Sequence, residues 1–125
     1  MTIAQAIARA DAAMPNHMPH PEKLRHLSTL DGRIRCELID LCEDAPATPF
    51  VPYEARKGLD LNAELIIQAP YDEIYVHYLA AMIAHEVGDQ GRYAECNAFF
   101  AALYTHFTID YLRRHKLAAK GKFRF

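Results

Sequence analysis

The seven histidines and 16 acidic residues invite a search for a metal or acid–base site. The densest group is in the predicted third helix, where His85 and Glu86 begin the sequence HEVGD. A zinc-binding H-E-x-x-H motif needs a second histidine four residues after the first, so that two imidazoles share one helix face. Position 89 is Asp89 instead, and His77 lies eight residues before His85. This spacing matches no recognisable ligand set, so we expect no metal site.

Nucleophilic catalysis has equally little support. Ser28 is the only serine, and it lies in a predicted helix without the glycines of a nucleophile elbow. Cys36, Cys42 and Cys96 form no C-x-x-C pair, which favours free thiols in a reducing compartment. We expect Cys36 and Cys96 to be core positions on helical faces. The five glycines are scattered, so there is no phosphate-binding loop, and we expect neither enzymatic activity nor a cofactor.

Basic residues are concentrated at the C-terminus. Six of the 14 follow Asp110, the last acidic residue, which leaves eight basic against 16 acidic residues in the rest of the chain. Such polarity suits an ordered contact with a partner. We predict that the partner-binding residues are the cationic and aromatic side chains of this end: Arg113, Arg114, Lys116, Lys120, Lys122, Phe123, Arg124 and Phe125. The same cations could instead bind phosphates, so a small helical regulatory or nucleic-acid-binding protein is the alternative.

Length and apolar periodicity predict a mainly α protein with four helices in one domain. A chain of 125 residues, 51% of them hydrophobic, can bury an ordinary core. The first helix should follow a capping box made by Thr2 and Gln5 and end before Pro15. The second should run from about residue 21 to residues 43–44. We expect the helical domain to span residues 1–115 and a separate tail to span residues 116–125.

The connection between the second and third helices is expected to be irregular, with a small β element. Residues 64–68, ELIIQ, are short and β-branched, which predicts a strand, and the stretch near Phe50–Tyr53 could pair with it. Gly32, inside the second helix, suggests close approach by a neighbouring helix. A connection of this length usually has a function or a partner.

The third and fourth helices should form the centre of the domain. Residues 74–87 are apolar on nearly every side, which indicates a buried helix, and a glycine of the following GDQG suits a left-handed cap. The fourth helix, from about residue 92 to 115, has a sharp apolar stripe: Tyr93, Cys96, Phe100, Leu103, Phe107 and Tyr111. Phe99, Ile109 and Leu112 leave that stripe, and we predict that they form an oligomer contact. The alternative is ordinary surface hydrophobic residues.

Several short sequence motifs of this chain resemble those of a known protein family. They are A-P-Y-D-E-I-Y at residues 69–75, the tyrosine-rich third helix with Tyr78, and Arg92–Tyr93 with Phe99 after a glycine turn. Further matches are LRHLSTLDGRI at residues 24–34, PN at residues 15–16 and the terminal GKFRF. In these the chain resembles head–tail connector (adaptor) proteins of long-tailed bacteriophages and prophages of Gram-positive hosts. It departs from the family's pattern at His26, where an aromatic residue is expected, and in residues 45–63.

The resemblance implies a helical structural subunit of the virion without enzymatic activity. Such subunits form a homo-oligomeric ring beneath the portal protein, at the neck between head and tail, and the isolated subunit can be monomeric. The implied partners are the portal and other neck and tail proteins, with genomic DNA passing through unbound and no membrane contact. The implied location is the virion, and the host cytoplasm before assembly. An acidic body suits a channel wall, because like charge keeps DNA from sticking.

Overall fold

The computed structural model describes residues 1–118, and four α-helices account for most of them. Helix α1 spans Ile3–Ala13, α2 spans His20–Glu37, α3 spans Ile74–Glu86 and α4 spans Gln90–Arg114. Single 3-10 turns lie at Ile39–Leu41 and Tyr53–Ala55. The predicted mainly α class and the number of helices are confirmed. No helix within residues 1–118 has the length and apolar character that a bilayer crossing requires.

Helix α1 begins and ends as predicted. The Thr2 hydroxyl accepts a hydrogen bond from the Gln5 amide at 3.1 Å, and the Gln5 side chain accepts one from the Thr2 amide at 2.9 Å. This reciprocal capping box satisfies two amides that the first helical turn would leave unpaired. Ile3, Ile7 and Ala10 are buried on the face that meets α2 and α3.

Helix α2 is shorter than predicted. It ends at Glu37, because Leu38 has a φ of −131° and leaves the helical region. The chain then turns back, and Arg35 fixes the turn: its Nε donates to Asp40 Oδ1 at 2.7 Å, and its Nη2 donates to the Pro46 and Thr48 carbonyls. Leu38 stays buried after the helix has ended. The apolar spacing therefore continued past the real helix end, and the prediction of a helix to residues 43–44 was wrong.

The predicted β element is also wrong. Within residues 1–118 the backbone forms only isolated bridges, between Thr2 and Glu64 and between Cys42 and Leu117. Residues 64–68 do not pair with the stretch near Tyr53, which forms a 3-10 turn. The reason is that side chains take the donors a partner strand would use. The Ile66 amide donates to Asp31 Oδ2 at 3.2 Å, and the Ile67 amide donates to the Tyr75 hydroxyl at 2.7 Å.

A side chain, and not a helix, packs against Gly32. A Cβ built on Gly32 would lie 3.6 Å from Cε2 of Phe50, whose ring reaches over from the connection between α2 and α3. That distance is an ordinary van der Waals contact, so an alanine would fit. The expectation of a neighbouring helix at this position was wrong.

Helix α3 is the centre of the core, as predicted. Eight of its 13 residues are buried, and α1, α2 and α4 all pack against it. Gly88, with a φ of +79°, follows its C-terminus in the expected left-handed conformation.

The chain then reverses into α4, which lies along α3 with the predicted stripe facing inward. Its Cys96, Phe100 and Phe107 are buried, and the Phe100 ring centroid lies 5.1 Å from that of Tyr78.

The described chain ends in contact with the segment that follows α2. The Glu43 amide donates to the Lys116 carbonyl at 2.9 Å, and the Ala118 amide donates to the Leu41 carbonyl at 2.9 Å. Residues 116–118, which we expected to belong to a separate tail, thus pair with the helical domain. The rest of that tail, residues 119–125, lies outside the described residues.

Candidate functional site

The three predicted oligomer-contact residues lie on the outer side of α4. Phe99 is 55% exposed, Ile109 is 46% exposed and Leu112 is 41% exposed. Phe99 also stacks on His77 of α3, with ring centroids 5.2 Å apart. These side chains leave the core, as the spacing indicated, while the subunit contact itself stays a prediction.

The α4 surface between these residues carries no formal charge. From Asn97 to Ile109 the helix contains no Asp, Glu, Lys or Arg. Ala98, Ala101 and Ala102 are all exposed there. Asn97, Thr105 and His106 are exposed there too, so the surface is uncharged and not purely apolar. Depletion of charged side chains is typical of interface centres. We call this surface, with Phe99, Ile109 and Leu112, the α4 outer face.

The cationic end of α4 borders this face. Arg113, Arg114 and Lys116 are exposed. Nε of Arg114 lies 3.3 Å from Asp110 Oδ2, one turn earlier, in an exposed pair of little energetic weight. The other predicted partner-binding residues are outside the described part of the chain: Lys120, Lys122, Phe123, Arg124 and Phe125.

The residues considered for metal binding and catalysis are dispersed. His85 is exposed, and its ring centroid lies 5.3 Å from that of Tyr93. Across residues 1–118 no three His, Cys, Asp or Glu side chains converge in a way that could hold a metal ion. Cys42 and Cys96 are buried free thiols, whereas Cys36 is exposed. The expected core position of Cys36 was wrong, because it lies on the side of α2 that faces away from the core.

A buried polar cluster, which the sequence analysis missed, joins α2, α3 and the connection between them. Asp31 on α2 is 0% exposed. Its Oδ1 accepts a hydrogen bond from the Tyr75 hydroxyl at 2.6 Å, and its Oδ2 accepts from the Tyr53 hydroxyl and from the Ile66 amide. One turn before Asp31, the Ser28 hydroxyl accepts from the Tyr53 amide at 2.9 Å. We call these residues the Asp31 cluster.

The electrostatics of the Asp31 cluster suit structure rather than proton transfer. Burial raises the pKa of Asp31, and the hydrogen bonds from Tyr53, Tyr75 and Ile66 only partly oppose that effect. Burial and the Asp31 carboxylate also raise the pKa of Tyr53 and of Tyr75, so both phenols remain donors. Asp31 itself is 0% exposed, so the carboxylate lies inside the folded chain.

One sequence signal could have revealed this cluster. Asp31 stands beside Leu30 at an apolar position of the α2 pattern, where the next apolar residue is Ile34. A carboxylate in an apolar stripe is rarely buried without partners. The identity of those partners was not predictable, because Tyr53 and Tyr75 are 22 and 44 residues away.

The motifs that carry the family resemblance meet in the structure. Asp31, from the segment 24–34, bonds to Tyr75, from the segment 69–75. Glu73 of the latter segment accepts from Arg9 of α1 at 2.6 Å. Arg92 donates to the Ala13 carbonyl at 3.1 Å, and so ties the start of α4 to the end of α1.

Asn16 of the PN motif organises the turn after α1. Its Nδ2 donates to Asp11 Oδ1 and to the Met14 carbonyl, both at 2.9 Å. Asp11 also pairs at 2.7 Å with the buried Lys23 of α2. Burial alone would raise the pKa of Asp11, but the bonds from Lys23 and Asn16 outweigh it and hold that pKa below its ordinary value.

An open groove of about 760 Å³ lies where the turn after α2 meets the end of the described chain. One wall is the loop at residues 45–49, which Arg35 holds in place through the Pro46 and Thr48 carbonyls. The remainder is lined by Arg35, Asp40, Cys42, Glu43 and Ala118. We call it the 40–49 groove.

Comparison of the chain with protein-family models, with curated proteins and with solved structures gave no match. The function must therefore be inferred from the geometry and the sequence motifs.

Proposed function

We propose that this chain is a structural subunit of a tailed bacteriophage or prophage, a head–tail connector that joins the portal vertex to the tail. In this role it would form a homo-oligomeric ring whose partners are the portal and other neck and tail proteins. Its place would be the neck of the virion, after a period in the host cytoplasm. The proposal needs a stable helical body, a surface for neighbouring copies and a surface for the portal.

The observation that carries the proposal is the α4 outer face. It combines exposed Phe99, Ile109 and Leu112 with a run of uncharged residues on a helix whose opposite side is buried at Cys96, Phe100 and Phe107. Exposed large apolar side chains on a helix that has no charged residue from Asn97 to Ile109 favour association. In a ring each copy contacts two neighbours through two complementary surfaces, and the α4 outer face would be one of them.

The motif contacts support the family resemblance in a second way. Asp31 with Tyr75, Glu73 with Arg9, and Arg92 with the Ala13 carbonyl each link two elements of the fold. Asp31, Tyr75, Glu73 and Arg92, which belong to the motifs, thus take part in contacts between elements, and the proposal of neck assembly follows from the resemblance.

Nucleic-acid binding by the cationic end of α4 is the second candidate function. Arg113, Arg114 and Lys116 are exposed on one end of the molecule. If all six C-terminal cations contacted duplex phosphates, the logarithm of the binding constant would fall against that of salt concentration with a slope of about −5. The connector role predicts only weak DNA binding, because the remaining surface is acidic.

The position of the gene gives a first check on the connector role. It should lie beside the genes for portal and major capsid proteins.

A genetic experiment then tests the role directly. Deleting the gene from the phage that carries it should yield DNA-filled heads and complete tails that do not join, as seen by electron microscopy. Wild-type protein supplied in trans should restore tailed particles, and the variant Ile109→Ser/Leu112→Ser should not. Tailed, infectious virions from the deleted phage would contradict the proposal.

A further inference from the structure

The 40–49 groove lies directly in front of the last described residue. Ala118 lines the groove, and its amide is fixed by the Leu41 carbonyl at 2.9 Å. Residues 116–118 run antiparallel to residues 41–43, as the bridge between Cys42 and Leu117 shows. The backbone of residues 116–118 therefore points toward Asp40, which also lines the groove.

The charges in the groove complement those of the segment that comes after Ala118. Arg35 is balanced by Asp40, whose Oδ1 it contacts at 2.7 Å. Glu43 is exposed and forms no ion pair with any residue within 1–118. The groove is thus net negative, whereas residues 119–125, with the sequence AKGKFRF, carry three cations and no acidic side chain.

The groove also offers apolar contacts on the scale of that segment. Pro46, Ala47 and Pro49 form its outer wall. Seven extended residues span at most about 25 Å, which suffices to follow a groove of this size from the position of Ala118. The prolines offer apolar surface that suits the two phenylalanines of residues 119–125, and the carboxylates suit its cations.

We propose that the 40–49 groove is the docking site of the chain's own C-terminal segment, residues 119–125, in the free subunit. The contact is intramolecular and continues the pairing that residues 116–118 begin. Any partner that uses Lys120, Lys122, Phe123 or Arg124 must then displace them from the groove. This inference concerns the isolated chain and does not rest on the connector role.

Tryptophan fluorescence of the full-length chain tests the docking. The sequence contains no Trp, so Phe123→Trp introduces a single reporter. We expect its emission maximum at a shorter wavelength, and its quenching by acrylamide several-fold weaker, than in a free peptide of residues 119–125 with the same substitution. Adding Glu43→Lys should shift the emission maximum and the acrylamide quenching most of the way toward the values of the free peptide. Adding Glu95→Lys, the same charge change at an exposed position on α4, should leave them unchanged.

Backbone amide chemical shifts provide a test without the reporter. Ending the chain at residue 118 keeps every described element, and it should shift amides of residues 40–49 while leaving α1 and α3 unchanged. Fluorescence of the Phe123→Trp chain equal to that of the peptide, or shifts absent from residues 40–49, would overturn the proposal. Fluorescence that approaches that of the peptide on dilution would assign the segment to the groove of a second copy and would also overturn it.

Discussion

Asp31 is a fully buried carboxylate whose hydrogen-bond partners all come from other parts of the fold. The Tyr75 hydroxyl belongs to α3, while the Tyr53 hydroxyl and the Ile66 amide belong to the connection between α2 and α3. A connection without regular structure has few backbone partners of its own, and unpaired buried amides are costly. The Asp31 carboxylate thus accepts a hydrogen bond that a partner strand would otherwise accept. This explains why the β-branched residues 64–68 can pack on the core without forming a sheet.

Removing the Asp31 carboxylate should destabilise the fold strongly. Asp31→Ala leaves the hydroxyls of Tyr53 and Tyr75 and the amide of Ile66 without their acceptor. Because each buried unpaired group costs about 1–3 kcal/mol, we expect the free energy of unfolding to fall by at least about 3 kcal/mol. Urea denaturation followed by circular dichroism measures this. The matched exposed change Glu95→Ala should stay within about 0.5 kcal/mol of wild type. Equal losses in the two variants would show that the cluster contributes no stability.

The titration of Asp31 gives a pH dependence with a defined sign. Burial raises the pKa of Asp31 above the ordinary value of 3.8. Between 3.8 and the raised pKa, the native state therefore holds more protons than the unfolded state. Stability from this group is highest at low pH and falls as pH rises through that window. We expect the stability of wild type relative to Asp31→Asn, measured by urea denaturation at several pH values, to decrease as pH rises.

Asp11 is the matched control for that experiment, because its pKa is lowered and the sign reverses. The stability of wild type relative to Asp11→Asn should be fully present above pH 3.8 and should be lost as pH falls through the lowered pKa. If the two stability differences changed with pH in the same direction, the assigned environments of Asp31 and Asp11 would be contradicted.

At the scale of the elements, α4 has two sides with different roles. Its inner side packs on α3 along the whole 13-residue length of that helix, and its own 25 residues reach about 18 Å further. There the inner side meets the connection, with the ring centroids of Phe107 and Tyr71 5.8 Å apart. The outer side has no comparable partner within the described chain.

Substitutions of the neighbouring residues Phe99 and Phe100 test whether the outer and inner sides of α4 differ in their contribution to stability. Phe100 is 8% exposed, and Phe100→Ser should lower the free energy of unfolding by about 3–5 kcal/mol, as loss of a buried aromatic ring does. Phe99 is 55% exposed, and Phe99→Ser should change it by less than about 1 kcal/mol. Thermal denaturation and urea titration measure both. A large loss for Phe99→Ser would show that its stack on His77 belongs to the core.

The pair Ile109→Ser/Leu112→Ser tests association in the same way. We expect a melting temperature close to that of wild type, because both residues are exposed. Ring formation on a portal template, followed by electron microscopy, should be impaired. A double variant that fails to fold would show that these residues are core, and one that assembles normally would exclude them as the contact.

The helices could be predicted from the sequence, and the connection could not. Capping by Thr2 and the left-handed Gly88 are local signals, so the starts of α1 and α4 were predicted to within about two residues. The end of α2 depends on Arg35 reaching the Pro46 carbonyl, and the path of residues 64–68 depends on Asp31 and Tyr75. Both are contacts between side chains and distant backbone, which apolar periodicity does not encode.

At the scale of the whole molecule, the basic C-terminal end differs in charge from the acidic rest of the chain, and we expect that end to bind the partner. Deleting residues 121–125 should keep the fold and change the melting temperature only slightly, since every described element ends before them, while attachment to the portal ring weakens or fails. Raising salt should weaken attachment of the intact protein only in part, because the phenylalanine contacts are not screened. Co-sedimentation with purified portal rings measures both effects. Normal attachment of the truncated chain, with lost affinity for DNA, would favour the nucleic-acid-binding role.

The position of α1 in the fold has a consequence for synthesis of the chain. The Ile3 amide donates to the Ala63 carbonyl and the Ala4 amide to the Leu61 carbonyl, so the backbone partners of α1 are translated about 60 residues later. At 5–20 residues per second, these partners follow α1 by roughly 3–12 s. Helices α3 and α4, adjacent in sequence, can pair as soon as both emerge. We expect nascent chains stalled before α3 to leave α1 open to protease and to chaperone binding, and chains stalled after α4 to protect it.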